Sequence, residues 1–330
     1  MTSGAIEPDV LAIDPERATA EIVEALQLAV GRELRRRGGV VGLSGGIDSA
    51  VTAALSARAF GPERTLAVLM PEAESADDTP ALSRAMAAAL GVETVEEPIT
   101  RTLEAVRCYE RRNDVVRALI PEFSDAWRWK VVLPSLVGND LYRVSFLVAE
   151  SPDGRTVKVR LPAESYRAIV AATNFKQRIR KMLEYFHADR LHYAVLGTPN
   201  RLEYDQGFFV KSGDGAADAK PIAHLYKTQV YQLGRYLGIP QDVLERQPTT
   251  DTYSLSQSQE EFYFSLPYEK LDLCLYAHNN GLPAEAVAVA VDLEPDDVLR
   301  VFRDIEQKRR TTRYLHLQPL LAAPVPEVGH

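Results

Sequence analysis

The sequence predicts an α/β protein with a doubly wound parallel sheet and helices on both faces. Short apolar runs rich in β-branched residues alternate with segments of helical apolar spacing, which is typical of right-handed βαβ crossovers. The chain has 330 residues, of which 46% are hydrophobic and 25% are charged, as in ordinary globular proteins. This length fits two domains of about 150 residues, but we favour one extended domain over residues 1–330.

The first predicted helix starts at Asp14-Pro15-Glu16, which combines an N-cap, a proline at the first helical position and an acid in the first turn. Apolar residues then recur every four positions as far as Leu34. Strands are expected at 40–43, 65–70, 92–99 and 193–197. Helices are expected at 48–57, 80–90, 165–186, 227–237, 259–279, 283–291 and 295–310, with a loose tail at 322–330.

One segment, residues 127–161, breaks this alternation. Two alternating runs flank Ser-Pro-Asp-Gly at 151–154, and a third run begins at Trp127. A proline-Asp-Gly turn between such runs predicts a β-hairpin. We therefore expect a β-hairpin insertion in the sheet-and-helix pattern, followed by a helical C-terminal part.

Charge and cysteine content exclude several classes of function. Lys and Arg total 38 and Asp and Glu total 46, a net charge of −8, which opposes broad nucleic-acid binding. Cys108 and Cys274 are far apart and form no CxxC, which argues against disulfide scaffolds, structural zinc and thiol-based sulfur transfer. The N-terminus lacks the features of a signal peptide, and no window approaches 18 uninterrupted apolar residues. A cytoplasmic protein without membrane contact is expected.

Residues 44–49, Ser-Gly-Gly-Ile-Asp-Ser, carry the strongest chemical signal because they lie where a buried strand turns into a helix. Glycines allow close backbone approach, hydroxyls and N–H groups donate to phosphate oxygens, and the helix N-terminus attracts anions. The Gly-Lys-Ser/Thr of a Walker loop and the dinucleotide fingerprint are both absent. Asp48 would repel a phosphate unless a cation joins it, which favours Mg²⁺.

The same six residues resemble the pyrophosphate loop of the N-type ATP pyrophosphatases, which have the adenine nucleotide alpha hydrolase-like fold. Within that superfamily, four later runs resemble the NAD synthetase family: GTPNRLE at 197–203, GFFVK at 207–211, GDGAAD at 213–218 and LYKTQ at 225–229. NFKQRIR at 174–180 and Pro248-Thr249 resemble further blocks. The resemblance covers about residues 15–105 and 165–315.

This resemblance implies an ATP-dependent amide ligase that adenylates nicotinic acid adenine dinucleotide and amidates it with ammonia to give NAD, AMP and pyrophosphate. The implied catalytic residues are Asp48, Glu203 and Lys227, and Asp48 and Glu203 would bind Mg²⁺. The implied ATP contacts are Ser44, Gly45, Gly46, Ile47, Asp48, Ser49, Thr198, Lys227 and Thr249. The implied contacts of the acid substrate are Arg178, Phe208, Lys211, Asp214, Asp218 and Lys308. A homodimer is also implied, with the acid site near the subunit boundary.

Three departures from the family pattern affect the acid half of the site. No glutaminase segment is recognised, so ammonia is expected either free or from a separate glutaminase partner. The 127–161 hairpin stands where the family has a shorter connection, and it could cap or reshape the acid site or serve only as a satellite core or oligomer contact. Gln307-Lys308 replaces the family's His-Lys, and Gln177 replaces its alanine.

Several alternatives stay open at this point. A related amide ligase could act on a different carboxylate in specialised metabolism, and a nucleotide-binding regulator could keep the site without turnover. A tRNA-modifying relative would share the loop, but the acidic charge opposes it. Glu203, Lys211 and Lys227 could also be ordinary exposed side chains.

Overall fold

The structure is a computed structural model that describes residues 6–7, 9–76, 78–133, 145–248 and 252–326. Its strands are β1 (Gly39–Gly42), β2 (Thr65–Leu69), β3 (Glu93–Glu96), β4 (Arg128–Val132), β5 (Phe146–Glu150), β6 (Thr156–Arg160) and β7 (Ala194–Val195). Its α-helices are α1 (Pro15–Leu26), α2 (Ile47–Phe60), α3 (Thr79–Leu90), α4 (Thr100–Ala105), α5 (Cys108–Leu119), α6 (Ala163–Leu191), α7 (Arg201–Gln206), α8 (Lys227–Leu237), α9 (Gln241–Glu245), α10 (Tyr268–Asn279), α11 (Ala284–Val291) and α12 (Pro295–His316). Short π-helical turns at Gln27–Glu33 and Glu260–Phe264 and a 3-10 turn at Pro62–Arg64 complete the regular elements.

The main sheet is parallel and has the order β3-β2-β1-β7. Alternate residues of its central strands point to opposite faces, as strand geometry requires. Val41 and Ala67 pack in the core that includes α1, α2 and α8. Val40 and Leu66 pack on the other face against α4 and α6. The predicted α/β fold with helices on both faces is therefore confirmed.

The chain start illustrates how local sequence sets these elements. The Asp14 carboxylate accepts hydrogen bonds from the backbone N–H groups of Glu16 and Arg17, both at 3.1 Å, and Pro15 is the first helical residue. These contacts satisfy N–H groups that have no partner inside the helix. The predicted N-cap is confirmed.

A separate antiparallel sheet of order β4-β5-β6 stands where the hairpin was predicted. β5 and β6 form that hairpin, and β4 adds a third strand to it. Trp129 and Leu147 fill its core together with Tyr253, whose ring centroid lies 4.9 Å from that of Trp129. Residues 142–144, which the sequence assigns to the incoming strand, lie outside the described residues.

Residues 252–261 run along β4 before the last helices. Leu255 N–H donates to Trp129 O at 3.1 Å, Trp129 N–H donates to the Ser254 hydroxyl at 3.0 Å, and Leu133 N–H donates to the backbone oxygen of Glu261 at 3.2 Å. The insertion sheet thus supplies hydrogen-bond partners to a segment more than 100 residues later in the chain.

The C-terminal part is helical, but the helix predicted over 259–279 is wrong in its first half. A π-helical turn ends at Ser265, which has the left-handed φ of 61°, and α10 starts only at Tyr268. Pro267 explains the break, because a proline disfavours helical geometry at the residue before it. Residues 317–326 contain no helix or strand. No helix in the described part of the chain is long and apolar enough to cross a membrane.

Candidate active site

The predicted phosphate loop, Ser44-Gly45-Gly46, connects β1 to the N-terminus of α2. Gly45 has φ +72°, which glycine adopts without strain. The Ser49 hydroxyl accepts a hydrogen bond from Ser44 N–H at 3.2 Å and donates one to Gly46 O at 2.9 Å. The first turn of α2 therefore fixes the loop, and the positive end of its dipole faces the same space.

Asp48 and Lys227 form an ion pair beside this loop. Asp48 lies in the first turn of α2, and Lys227 is the first residue of α8. Asn200 Nδ2 donates to the other Asp48 oxygen at 3.1 Å. The Lys227 side chain is only 3% exposed; burial lowers its pKa, but attraction to Asp48 and Glu203 outweighs burial and raises it. Lys227 is thus a buried, charged ammonium rather than a solvated surface lysine.

Glu203, on α7, is the second carboxylate of the site. It forms a capping box with Asn200, in which Asn200 N–H donates to a Glu203 oxygen at 3.0 Å and Glu203 N–H donates to the Asn200 side chain at 3.2 Å. Gln259 Nε2 donates to the second Glu203 oxygen at 3.3 Å. Burial, with repulsion from Asp48, raises the pKa of Glu203 to about 8. A cation between Asp48 and Glu203 would relieve this repulsion.

A buried carboxylate on α10 positions Lys227. Asp272 accepts hydrogen bonds from the backbone N–H groups of Lys227 at 3.3 Å and Thr228 at 2.7 Å. It therefore caps α8 from another helix, a role that the sequence did not reveal because the two segments are 44 residues apart. Burial raises the pKa of Asp272 to about 7, although the N–H donors oppose this shift.

Asp48, Glu203 and Lys227 line a cavity of about 480 Å³ at the carboxyl ends of the parallel strands, where open α/β sheets bind ligands. Most of the predicted site residues line it. They are Ser44, Gly46, Ile47, Asp48, Ser49, Arg178, Thr198, Glu203, Phe208, Lys211, Asp214 and Lys227. No group of three or more His, Cys, Asp or Glu side chains that could hold a metal ion occurs within the described ranges.

Four of the predicted acid-substrate residues line the same cavity, namely Arg178, Phe208, Lys211 and Asp214. Arg178 Nε donates to Lys211 O at 3.3 Å, and Lys211 Nζ donates to Tyr314 O at 2.9 Å. Phe208 stacks on Tyr263 with 4.7 Å between ring centroids. Two exposed cations beside an aromatic platform can bind an anionic ligand that carries a flat ring.

Asp218 and Lys308 do not line the cavity. Asp218 accepts a hydrogen bond from Val195 N–H at 2.8 Å at the end of the sheet. Lys308 is 1% exposed and donates to Tyr263 O at 2.9 Å. Gly45 turns the loop without reaching the cavity wall, and Thr249 lies outside the described residues. The substrate contacts assigned to Asp218, Lys308 and Thr249 stay predictions.

The cavity wall also contains charged residues to which the sequence reasoning assigned no role. On α6, Lys181 pairs with Glu184 at 2.6 Å, with side chains 7% and 8% exposed. Lys176, also on α6, pairs with Glu72 at 2.6 Å and contacts Glu74. Arg178 and Arg180 lie between Lys176 and Lys181 on the same helix, so the sequence alone did not single out these pairs.

Comparisons with known proteins agree with this site. The profile of the NAD synthase family matches residues 19–119 and 155–314, which leaves β4 and β5 outside the match. The NH(3)-dependent NAD(+) synthetase of Rhizobium meliloti (strain 1021) is 54% identical over 320 residues, 97% of this chain and 96% of that one. The NH(3)-dependent NAD(+) synthetase of Mesorhizobium japonicum (strain LMG 29417 / CECT 9101 / MAFF 303099) is 50% identical over 317 residues, 96% of this chain and 99% of that one.

Two solved structures have the same fold. NMN synthetase from Francisella tularensis matches with a TM-score of 0.63 at 22% identity, over 94% of this chain and 98% of that one. NH3-dependent NAD synthetase from Campylobacter jejuni subsp. jejuni NCTC 11168 matches with a TM-score of 0.62 at 22% identity, over 94% of this chain and 100% of that one. Together with the family profile and relatives at 50–54% identity, the loop, the carboxylates and the buried lysine show that this chain belongs to the NAD synthase family.

Proposed function

We propose that this protein is an ammonia-dependent NAD synthetase, which uses ATP to convert nicotinic acid adenine dinucleotide and ammonia to NAD, AMP and pyrophosphate. One observation carries the proposal: Asp48, Glu203 and Lys227 meet beside the phosphate loop in a cavity that Arg178 and Lys211 also line. The relatives at 50–54% identity, named NH(3)-dependent NAD(+) synthetases, support the choice of acid and of free ammonia over a separate glutaminase.

The reaction has two steps, and neither requires an oxidant or a reductant. A carboxylate oxygen of the substrate attacks the α-phosphorus of ATP, and the electron pair of the α–β bridging bond leaves with pyrophosphate. Ammonia then attacks the acyl carbon, AMP leaves with the mixed-anhydride oxygen, and the nitrogen loses a proton to give the neutral amide. Lys227 lies beside the loop and can neutralise charge that develops on the transferring phosphoryl group.

The residues present fit a magnesium ion held by Asp48 and Glu203. Mg²⁺ is usually bound by one or two carboxylates together with substrate phosphates and water, so a third protein carboxylate is not needed. Burial and the nearby charge of Asp48 raise the pKa of Glu203, and a bound cation would counter both effects. When bound, Mg²⁺ would stabilise negative charge on the phosphate oxygens.

On the acid side, Arg178 and Lys211 would bind the phosphates of the dinucleotide, and Phe208 would contact a flat ring.

We infer a homodimer in which α6 contributes to the interface, because Met182 and Phe186 lie one turn apart on that helix and are each 57% exposed. A cytoplasmic location fits the two free, buried cysteines. Light scattering of the purified protein tests the dimer.

The test is product analysis by mass spectrometry. The protein is incubated with ATP, Mg²⁺, ammonium and nicotinic acid adenine dinucleotide, and in parallel with other aromatic carboxylates. Equal amounts of NAD, AMP and pyrophosphate support the proposal. Pyrophosphate release with another acid, and no NAD, would favour the amide ligase that acts on a different carboxylate. Asp48→Asn should abolish turnover, whereas Lys158→Met, on the outer insertion strand β6, should not.

A further inference from the structure

Arg246, just beyond α9, contacts the phosphate loop. Its Nη1 donates to Ser44 O at 3.2 Å, and its Nη2 donates to the Thr79 hydroxyl at 2.7 Å. The side chain is 12% exposed and lines the main cavity. A guanidinium is therefore held against the loop expected to bind the β and γ phosphates.

The first turn of α3 completes this side of the loop. A Cβ atom added to Gly45 would lie 3.1 Å from both Arg246 Nη1 and Leu82 Cβ, and 3.3 Å from Thr79 O. Asp78 occupies the N-cap position of α3, but its side chain makes no cap hydrogen bond to the helix. Instead it accepts from Arg246 Nη2 at 3.1 Å.

The charge around the loop shows why a second cation is useful there. Lys227 is paired with Asp48, and Glu203 adds another carboxylate, so the described side chains beside the loop do not neutralise a pyrophosphate. Asp78 is 58% exposed, and an ion pair with so exposed a partner is weak. Arg246 can exchange Asp78 for a phosphate oxygen at low cost and keep its bond to Thr79.

We propose that Arg246 is a further catalytic residue, which binds the terminal phosphates of ATP and the pyrophosphate that leaves. This inference rests on the proposed ATP-dependent reaction and adds a residue to it. Arginine suits the task because its planar fork makes two parallel hydrogen bonds to phosphate oxygens and stays charged at every working pH. A lysine at this position would supply the charge but not the fork.

The experiment measures binding of inorganic pyrophosphate with Mg²⁺ by calorimetry, and its inhibition of turnover in competition with ATP. Arg246→Gln should weaken both by about ten- to a hundredfold, the effect of a lost charged hydrogen bond. Arg246→Lys should lie between this variant and the wild type. The KM for the acid substrate should change by less than about twofold, because Arg246 contacts the phosphate loop and the start of α3.

Two controls separate binding from loop support. Asp78→Asn removes the carboxylate that pairs with Arg246 but leaves the arginine in place, and Arg17→Gln removes an exposed arginine paired with Glu21 on α1. Both should bind pyrophosphate as the wild type does. The proposal is overturned if Arg246→Gln binds pyrophosphate normally, if Asp78→Asn reproduces its loss, or if the wild type does not bind pyrophosphate. Because binding requires no acid substrate, this result is independent of which acid is amidated.

Discussion

Asp272→Asn tests how a buried carboxyl on α10 supports the catalytic lysine. Asp272 is fully buried and accepts from two backbone N–H groups at the start of α8. Its pKa of about 7 means that the folded protein keeps it protonated at pH 5, whereas the unfolded chain ionises it. Ionisation of Asp272 therefore favours the unfolded state, and the free energy of unfolding falls as pH rises.

The magnitude follows from this difference in bound protons. The contribution of Asp272 to stability is fully present below its unfolded pKa near 3.8 and is lost as pH rises through about 7. Between pH 5 and pH 7 the loss amounts to about 2 kcal/mol, since one proton corresponds to at most about 1.4 kcal/mol per pH unit. For a chain of this size, this corresponds to a decrease in Tm of about 4 °C.

The assay compares the Tm of the wild type and of Asp272→Asn at pH 5, 6 and 7 at constant ionic strength. The asparagine variant should be less stable at pH 5, by about 1 kcal/mol, because its amide can accept only one of the two N–H groups. Its Tm should then fall less with pH than that of the wild type. Parallel pH profiles for the two proteins would refute the assignment of a raised pKa to Asp272.

Substitutions at four further positions test the site and its support. Lys227→Met should lower pyrophosphate release at least about a hundredfold in a coupled assay. The pH dependence of its Tm should differ from that of Asp272→Asn. Glu203→Gln should raise the Mg²⁺ concentration needed for half-maximal activity about tenfold or more, measured by magnesium titration. Gly45→Ala should destabilise by about 1–2 kcal/mol through its left-handed φ and should weaken ATP binding in calorimetry. Trp129→Ala should cost about 3–5 kcal/mol in denaturant unfolding, and Trp129→Phe much less; equal losses would contradict the packing described for the insertion sheet.

Sequence reasoning succeeded where the signal is local. The strand-loop-helix around Ser44 was predicted because turn glycines, caps and apolar spacing are all encoded within a few residues. Helix α8 begins and ends at the predicted residues for the same reason: Tyr226 and Gln229 form its capping box, and Gly238 ends it in the left-handed conformation. The phosphate loop and Lys227 could therefore be placed in one cavity from motif and topology together.

Sequence reasoning could not locate the features that depend on tertiary packing. The structure places Lys308, on α12, in the core beside Tyr263, which its place in a family motif did not indicate; its contact with the acid substrate stays a prediction. Asp272 and Arg246 carry no local motif, so their roles emerge only when α10 and the chain after α9 are folded against the site. Strand β4 pairs with β5 although residues 134–144 separate them along the chain. A hairpin turn pattern does not encode a pairing over that separation.

The hydrogen bonds between β4 and residues 252–261 make two distant parts of the chain depend on one another. Tyr253, Gln259 and Phe262 face the cavity, yet the backbone around them is paired with β4, a strand that the family profile does not match. Shortening the insertion would leave Leu255 N–H without its acceptor and the Ser254 hydroxyl without its donor. A chimera that exchanges the cavity wall with a relative lacking this sheet must therefore transfer both segments together, since neither has its partners alone.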